Sequence, residues 1–466
     1  MTSLRAESRL IALIVASAFF LQGLDSAIIN TSLPQMAASL KVATLDMSIG
    51  ITVYMLASAA FVPMSGWLAD RFGARDIFIA SIVIFTLASL ACGVSQNLLQ
   101  LSIARIVQGL GGALMTPVGR MVVLRNTEKN QLLHATALIT WPALTAPVVG
   151  PVLGGFITTY FSWRWNFLIN IPIGMMGVWL AFRFIPNTKE SHSTTLDLRG
   201  LLLSSTALSI TLFGLESFAQ NNTHFGLPLL LTLVGLITGA LAVKHFQRTA
   251  QPLLDLSSIK VQTYRMCNLS AGAFFRISST AVPFLLPLLF QIGFGLSALA
   301  AGSWMLVYFI GNLGMKPITS PILQRFGFRN TLLINGVITS LCIMSCALLT
   351  PHTASPLMVA VLLLAGLTRS MQFTALNTLA FADITAAQRS SSSTLASMLM
   401  QITSVLGVAL GSFLLKITQT FYERTQSLLI DFQLAFMVTG IMVLTSTLIY
   451  LKLPRDAGAE VSGHRG

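Results

Sequence analysis

Long apolar segments alternate along this chain with short polar ones. Fourteen segments of roughly 18 to 27 residues consist mainly of apolar side chains, and charged or turn-forming residues separate them. A helix rises about 1.5 Å per residue, so each segment is long enough to cross a hydrocarbon core of about 30 Å. The pattern therefore predicts an all-α membrane protein with fourteen transmembrane helices.

The predicted spans fall into three groups. We interpret residues 1–186 as an N-terminal six-helix bundle, and residues 187–262 as two inserted transmembrane helices with cytoplasmic linkers. Residues 263–466 are interpreted as a C-terminal six-helix bundle with a short cytoplasmic tail. The approximate spans are 10–34, 47–69, 77–95, 98–124, 133–159, 165–184, 199–217, 227–246, 268–291, 298–320, 331–350, 356–379, 392–416 and 432–452.

A short sequence is repeated at equivalent places in the two six-span groups. Residues 71–75 read R-F-G-A-R after the second span, and residues 325–329 read R-F-G-F-R after the tenth. Many transporters are built from repeated halves. The repeat therefore supports two related bundles, with the central pair of helices inserted between them.

Composition and charge agree with a membrane protein. Only 9% of the residues are charged, whereas a soluble domain carries roughly 25%. The net charge of +13 is not concentrated on one arm or face, as it would be in a nucleic-acid-binding protein. If both termini are cytoplasmic, the loops on that side hold 20 Lys and Arg residues and the opposite loops hold 4. We therefore expect a multi-pass protein of a bacterial-type inner membrane, with both termini cytoplasmic, a lipid bilayer around it and no nucleic-acid partner.

Five motifs follow one another in the first half of the chain. They are L-D-S-A-I-I-N-T-S-L-P at 24–34, G-W-L-A-D-R-F-G-A-R at 66–75, R-I-V-Q-G at 105–109, G-P-V-L-G-G at 150–155 and W-R-W-N-F-L-I-N-I-P-I-G at 163–174. In this order they resemble motifs of the major facilitator superfamily, most closely its fourteen-span drug:proton antiporter branch. The second half matches that family only in outline. Asp76 departs from the pattern, because the family usually has a second basic residue there.

The resemblance implies roles for two of these motifs. A gating loop, in which charge pairs latch helices together and break during transport, would consist of Gly66, Asp70, Arg71, Gly73 and Arg75. An antiporter motif, in which small residues and a proline let helices approach closely and bend, would consist of Gly150, Pro151, Gly154 and Gly155. The alternatives are a solvated loop and ordinary helix packing.

Four ionisable residues, Asp25, Arg105, Arg276 and Arg369, lie deep within predicted spans. A charge at the centre of a transmembrane helix costs at least about 2.5 to 3.5 kcal/mol, so each requires a partner or a polar cavity. In the fold that the resemblance implies, their spans line the central cavity. We predict that Asp25 binds the coupling proton and that Arg105 is its coupling partner. The alternative is a static Asp25–Arg105 pair that fixes helix packing, and for Arg105 also structural anchoring of Gln108 or of backbone carbonyls.

The other two arginines bear on the charge of the transported molecule. A guanidinium pairs well with carboxylate or phosphate, so Arg276 and Arg369 favour an anionic or zwitterionic substrate. Internal pairing, or a position near the membrane interface, is the alternative. Further candidates for a substrate site, with core packing or interhelical hydrogen bonding as their alternative, are Gln22, Gln291, Gln372, Phe373 and Asn377.

The sequence contains no Walker loop, no H-E-x-x-H motif, no nucleophile–base pair and no C-x-x-C pair. We therefore expect no enzymatic activity, no metal and no cofactor, and the proton gradient as the energy source. The hypothesis is a monomeric proton-coupled exporter, an antiporter, of a small organic molecule such as an organic anion or a carboxylate siderophore. The alternatives are multidrug efflux of lipophilic cations, a proton-coupled uptake symporter, and a membrane sensor without transport.

Overall fold

The computed structural model describes residues 6–127, 132–186, 197–220, 226–249, 252–253, 256–385, 388–421 and 428–459. Within these residues the regular elements are helices, and no strand occurs. The α-helices are α1 (Ala6–Leu40), α2 (Ser48–Phe61), α3 (Ser65–Phe72), α4 (Ala74–Val94), α5 (Leu98–Arg125), α6 (Leu132–Tyr160), α7 (Trp165–Leu168), α8 (Asn170–Phe184), α9 (Leu198–Gln220), α10 (Gly226–Arg248), α11 (Gln262–Asn268), α12 (Ala271–Leu288), α13 (Ala298–Gly314), α14 (Lys316–Cys346), α15 (Ser355–Leu379), α16 (Arg389–Phe421) and α17 (Leu429–Ile449).

Eleven helical stretches among the described residues are long and apolar enough to cross a membrane. They are Glu7–Leu40, Ser48–Phe72, Ala74–Val94, Leu98–Val123, Trp165–Phe184, Gly226–Arg248, Gln262–Gly293, Lys316–Cys346, Ser355–Leu379, Leu395–Gln419 and Leu429–Lys452. The helices α6 and α9 add 29 and 23 residues of largely apolar sequence, and α13 adds a shorter apolar helix. These helices confirm the prediction of an all-α, multi-pass membrane protein.

The repeated R-F-G-x-R sequence forms the same backbone break twice. The helix α3 ends at Phe72 and α4 begins at Ala74, with Gly73 between them at φ 99°. The helix α14 contains one non-helical residue, Gly327, at φ 71°. Glycine enters this region of φ without the steric cost that a Cβ atom brings. The predicted loops after the second and tenth spans are therefore sharp single-residue breaks between helices.

The chain divides into two compact units, Met1–Ser209 and Ile210–Gly466, and the boundary lies within α9. In the first unit α1 packs mainly against α6, and both α2 and α4 pack against α5. In the second unit α13 packs against α15, α12 against α16, and α14 against α15 and α17. Each unit is thus a bundle of long helices in its own right.

Large apolar side chains also cover the outer faces of the helices. Trp179 and Phe182 on α8 are 63% and 68% exposed, and Leu87 on α4 is 62% exposed. Lipid tails are as apolar as these side chains, so a spanning helix can keep apolar groups on its outer face. Polar side chains are instead buried within each unit, and these buried polar groups form the candidate sites.

Candidate functional site

The first unit buries an ion pair between α1 and α5. Arg105 Nη1 donates to Asp25 Oδ2 at 2.8 Å, and the two side chains are only 2% and 1% exposed. Asp25 is the only acidic residue that is buried among the described residues of this unit. The structure therefore brings together the two residues that the sequence assigns to proton coupling.

The second oxygen of Asp25 accepts hydrogen bonds from two amides. Gln108 Nε2 on α5 and Asn170 Nδ2 on α8 each lie 2.9 Å from Asp25 Oδ1. Both amides also donate to Ser89 Oγ on α4, at 2.8 and 3.2 Å. Three helices thus meet at one carboxylate, which accepts from one charged and two neutral donors, and Ser89 links α4 to the same network.

Arg105 has partners in addition to Asp25. Its Nε donates to the carbonyl of Gly50 at 3.1 Å, and Nη1 also donates to Gln108 Oε1 at 2.6 Å. The guanidinium carbon lies 4.2 Å from the ring centroid of Tyr54, which is a favourable cation–π position. Arg105 therefore has several contacts that do not involve Asp25.

The antiporter motif on α6 packs against α1 next to Asp25. A Cβ atom added to Gly150 would lie 2.5 Å from the Cβ of Ala27, and one added to Gly154 would lie 2.9 Å from the carbonyl oxygen of Ile28. Pro151 and Gly155 of the same motif are also buried. The close approach of α1 and α6 therefore depends on glycine at two positions, and it fixes the helix that carries Asp25.

The gating-loop residues lie on α3, at Gly73 and at the start of α4. Arg125 Nη2 donates to Asp70 Oδ1 at 2.6 Å and joins the ends of α3 and α5. Arg75 Nε lies 3.0 Å from Asp76 Oδ1. Asp76, the residue that departs from the family pattern, therefore forms an ion pair with the neighbouring arginine. Arg71 lies over the ring of Trp67, and a Cβ atom on Gly66 would meet nothing within 4 Å.

We expect Asp70→Asn and Arg125→Gln each to slow transport, because each breaks the ion pair between α3 and α5. Since the pair is partly exposed, each change should alter the free energy of unfolding by no more than about 1 kcal/mol. The double variant Asp70→Arg/Arg125→Asp restores an opposite-charge pair and should recover transport. Transport rates in membrane vesicles and thermal unfolding of the purified variants test this. Equal rates for the single variants and the wild type would contradict a latch.

Arg276 on α12 is buried in the second unit, and neutral groups surround it. Its Nη1 donates to the carbonyl of Cys267 at 2.7 Å and to Asn268 Oδ1 at 3.1 Å, and its Nη2 donates to Asn377 Oδ1 at 2.7 Å. The buried Nε has no hydrogen-bond partner among the described residues. Asn377, which the sequence offers as a substrate contact, here holds Arg276.

Arg369 on α15 is half-buried, and its Nε donates to Ser279 Oγ on α12 at 2.8 Å. Phe373, one helical turn along α15, has its ring centroid 6.0 Å from the guanidinium of Arg369 and 5.8 Å from that of Arg276. The structure therefore collects Arg276, Arg369, Phe373 and Asn377 in one place in the second unit.

The three candidate glutamines are engaged with protein groups. Gln22 donates to the carbonyl of Gly112 at 3.0 Å and accepts from the Thr116 hydroxyl at 2.7 Å. Gln372 is fully buried, accepts from Asn335 and donates to the carbonyl of Leu332. Gln291 is buried in a π-helical turn over Leu289–Gly293. For Gln22 and Gln372 these contacts are the interhelical hydrogen bonds of the alternative interpretation, and a substrate role for all three glutamines stays a prediction.

Sequence reasoning missed several members of these networks. Asn170 belongs to a motif in the first half, but only its family pattern was apparent, and its contact with Asp25 comes from folding. One signal was present and unused: residues 105–108 and 369–372 both read R-x-x-Q, at corresponding spans of the two halves. Lys316 gave no signal either, because it lies near the cytoplasmic end of the predicted span 298–320, where a cation is expected.

The fold and the buried charge network define a multi-pass helical membrane protein with paired charges inside its spans. A family model described as Major Facilitator Superfamily matches residues 15–256 and 269–466. The chain is 35% identical over 464 residues to "Putative multidrug resistance protein MdtD" of Citrobacter koseri, covering 98% of this chain and 97% of that protein. The Salmonella typhimurium protein of the same name is 36% identical over 466 residues, with the same coverage. The chain therefore belongs to the major facilitator superfamily of membrane transporters, as its motifs predicted.

Solved structures agree at the level of fold. The crystal structure of a D-xylose-proton symporter has a TM-score of 0.67 at 14% identity, covering 96% of this chain and 98% of that one. A POT family transporter in complex with 5-aminolevulinic acid has a TM-score of 0.70 at 15% identity, covering 96% of each chain. At this identity the likeness concerns the fold alone.

Proposed function

We propose that this chain is a proton-coupled exporter of a small organic molecule. It would have fourteen spans in a bacterial inner membrane, with both termini cytoplasmic, and would work as a monomer by alternating access. The predicted division at residues 186 and 262 is part of this proposal. The observation that carries it is the buried Asp25–Arg105 pair, since a membrane protein that needs no proton-binding group has little reason to keep a carboxylate there.

Proton binding at Asp25 would change the contacts of three helices at once. In the ionised state the carboxylate accepts from Arg105, Gln108 and Asn170 and ties α1 to α5 and α8. Protonation removes the charge attraction and turns one acceptor oxygen into a hydroxyl. The contacts between α1 and its neighbours therefore weaken, which gives a two-state element that proton binding can bias.

Export is favoured over uptake by two observations. The glycines of the antiporter motif pack against α1 beside Asp25, and relatives that cover nearly the whole chain are named as putative multidrug resistance proteins. The cargo proposed here is an organic anion, for example a carboxylate siderophore. Efflux of lipophilic cations is the competing cargo, which the names of the relatives favour.

Inverted membrane vesicles test the direction of coupling. We expect an inside-acid gradient to drive uptake of the cargo, because antiport moves the cargo against the proton. The probes are radiolabelled benzoate as an organic anion and ethidium as a lipophilic cation, each compared with vesicles that lack the protein. Uptake driven only by an inside-alkaline gradient would identify a symporter. Absence of gradient-dependent movement for anion and cation panels would favour a sensor.

A further inference from the structure

Three cations share one region of the second unit without a carboxylate. Arg276, Arg369 and Lys316 form no ion pair in the part of the chain that the structure describes. Of the buried or nearby acids, Asp383 accepts from the Thr263 hydroxyl and Asp431 caps the start of α17. Among the described residues, no carboxylate forms an ion pair with any of these three cations.

At the corresponding place in the first unit, a carboxylate neutralises the charge of the arginine. Arg105 of the first R-x-x-Q sequence is paired with Asp25 on α1. Arg369 of the second R-x-x-Q sequence meets the hydroxyl of Ser279 on α12 instead. A serine can orient a guanidinium but cannot neutralise it. The two units thus carry an arginine at corresponding positions, but among the described residues a carboxylate neutralises only the arginine of the first unit.

Lys316 places a second cation beside Arg369. Its amine, at the start of α14, donates to Thr374 Oγ1 on α15 at 2.9 Å and lies within electrostatic range of Arg369. Both side chains are half-buried, and so are Phe373 and Thr374. The terminal nitrogens of Arg369 have no partner among the described residues. Two cations therefore have free donors on a surface that is only partly covered.

The surroundings hold these charges in place without neutralising them. The carbonyl of Cys267 and the amides of Asn268 and Asn377 fix Arg276. The ring of Phe373 lies close to both guanidiniums, and a cation–π contact stabilises a cation while leaving its charge available. A partly buried cluster of like charges is costly, and an anion that binds there removes that cost.

We propose that Lys316 and Arg369 bind the carboxylate of the cargo, with Arg276 behind them as a fixed positive charge that does not touch it. The donors suit an oxyanion: the guanidinium offers two parallel N–H groups and the lysine amine adds a point charge. This assignment rests on the proposed exporter function, because the bound anion is a cargo only if the protein transports it. Inorganic phosphate and anionic lipid headgroups share this chemistry, so both enter the test as competitors.

Equilibrium binding to the purified full-length protein, in neutral detergent and without a gradient, tests the site. The probes are radiolabelled benzoate, its neutral analogue benzamide and the cation benzylamine. We expect benzoate to bind more tightly than the other two, and Lys316→Gln and Arg369→Gln to weaken it by on the order of ten- to hundredfold. Lys316→Arg should keep benzoate binding. Arg265→Gln removes an exposed cation of the same unit and should leave it unchanged.

Three outcomes overturn the assignment. Equal affinity for benzoate and benzamide would show that charge is not recognised. Unchanged benzoate affinity in both Lys316→Gln and Arg369→Gln would place the anion elsewhere. Phosphate or phosphatidylglycerol that binds at these two residues while benzoate does not would make the cluster a phosphate or lipid site. Thermal unfolding of each variant shows that it is folded.

The Asp25→Asn variant separates this assignment from the proposed function. It changes no residue of the second unit, so it should still bind benzoate in preference to benzamide although gradient-driven transport is lost. If the wild type exports ethidium in a gradient-dependent way but binds no benzoate, the carboxylate site is wrong and the exporter stands. If it binds benzoate but moves nothing across vesicles, the exporter function is wrong.

Discussion

Asp25→Asn is expected to reduce gradient-driven transport to the background of vesicles without the protein. The amide keeps the shape of the carboxyl but cannot bind and release a proton, so the network of Arg105, Gln108 and Asn170 loses its dependence on protonation. Removing one partner of a buried ion pair costs roughly 3 to 5 kcal/mol. The cost should fall at the low end here, because Arg105 keeps Gly50 and Tyr54.

Two further variants make this expectation specific. Asp25→Glu keeps a titratable carboxyl and should retain part of the coupled transport. Asp431→Asn applies the same change to another buried carboxyl, at 0% exposure, and should preserve coupling because asparagine can still cap α17. Substrate exchange without a gradient should persist in Asp25→Asn. Gradient-driven uptake by Asp25→Asn at the wild-type rate would remove Asp25 from the coupling mechanism.

Gly150→Leu is expected to abolish transport by forcing α6 away from α1. Even the Cβ atom of alanine would lie 2.5 Å from the Cβ of Ala27, so Gly150→Ala should already lower the free energy of unfolding by about 1 to 3 kcal/mol. The leucine side chain needs much more room, and accessibility labelling from both sides of the membrane should show one state trapped. An unchanged distribution between inward-open and outward-open states would contradict this.

The contact between a Cβ atom at position 150 and the Cβ of Ala27 suggests a control for the Gly150 variants. Ala27→Gly removes the atom that a new Cβ at Gly150 would strike, so the double variant Ala27→Gly/Gly150→Ala should recover most of the lost stability, less up to about 1 kcal/mol for glycine within a helix. Gly177→Ala on α8 is a matched substitution, since its Cβ would meet Ile82 only at 3.9 Å. It should leave transport unchanged and raise the free energy of unfolding by up to about 1 kcal/mol, because alanine is favoured over glycine within a helix.

The fold could be predicted well from the sequence because one physical requirement dominates it. Backbone groups in lipid must bond within a helix, so apolar length alone identifies the spans. The ends were less predictable: α1 continues through Pro34 to Leu40, and α14 runs through the segment expected to be a loop. Hydropathy does not record a single glycine at positive φ, and so the sharpness of the breaks at Gly73 and Gly327 could not be foreseen.

The candidate site was predictable only in part. The cost of burying charge identified Asp25, Arg105, Arg276 and Arg369, and the structure pairs the first two directly. Neutral partners carry no such signal, because a buried asparagine or serine is inexpensive enough to occur for packing alone. Asn170 and Ser279 therefore became candidates only when the helices placed them against a charge.

The single buried carboxyl among the described residues of the first unit has an electrical consequence. In the proposed exporter, Asp25 would carry at most one proton inward in each cycle, and a monovalent anion leaving in exchange would move charge in the same direction. Two elementary charges then cross the membrane potential in every cycle, and each is worth about 2.3 kcal/mol per 100 mV. A membrane potential of about 100 mV would by itself sustain a concentration ratio of the cargo on the order of a thousandfold. Such an exporter is electrogenic. Collapse of the membrane potential should therefore reduce efflux more than collapse of a pH gradient of the same size in millivolts.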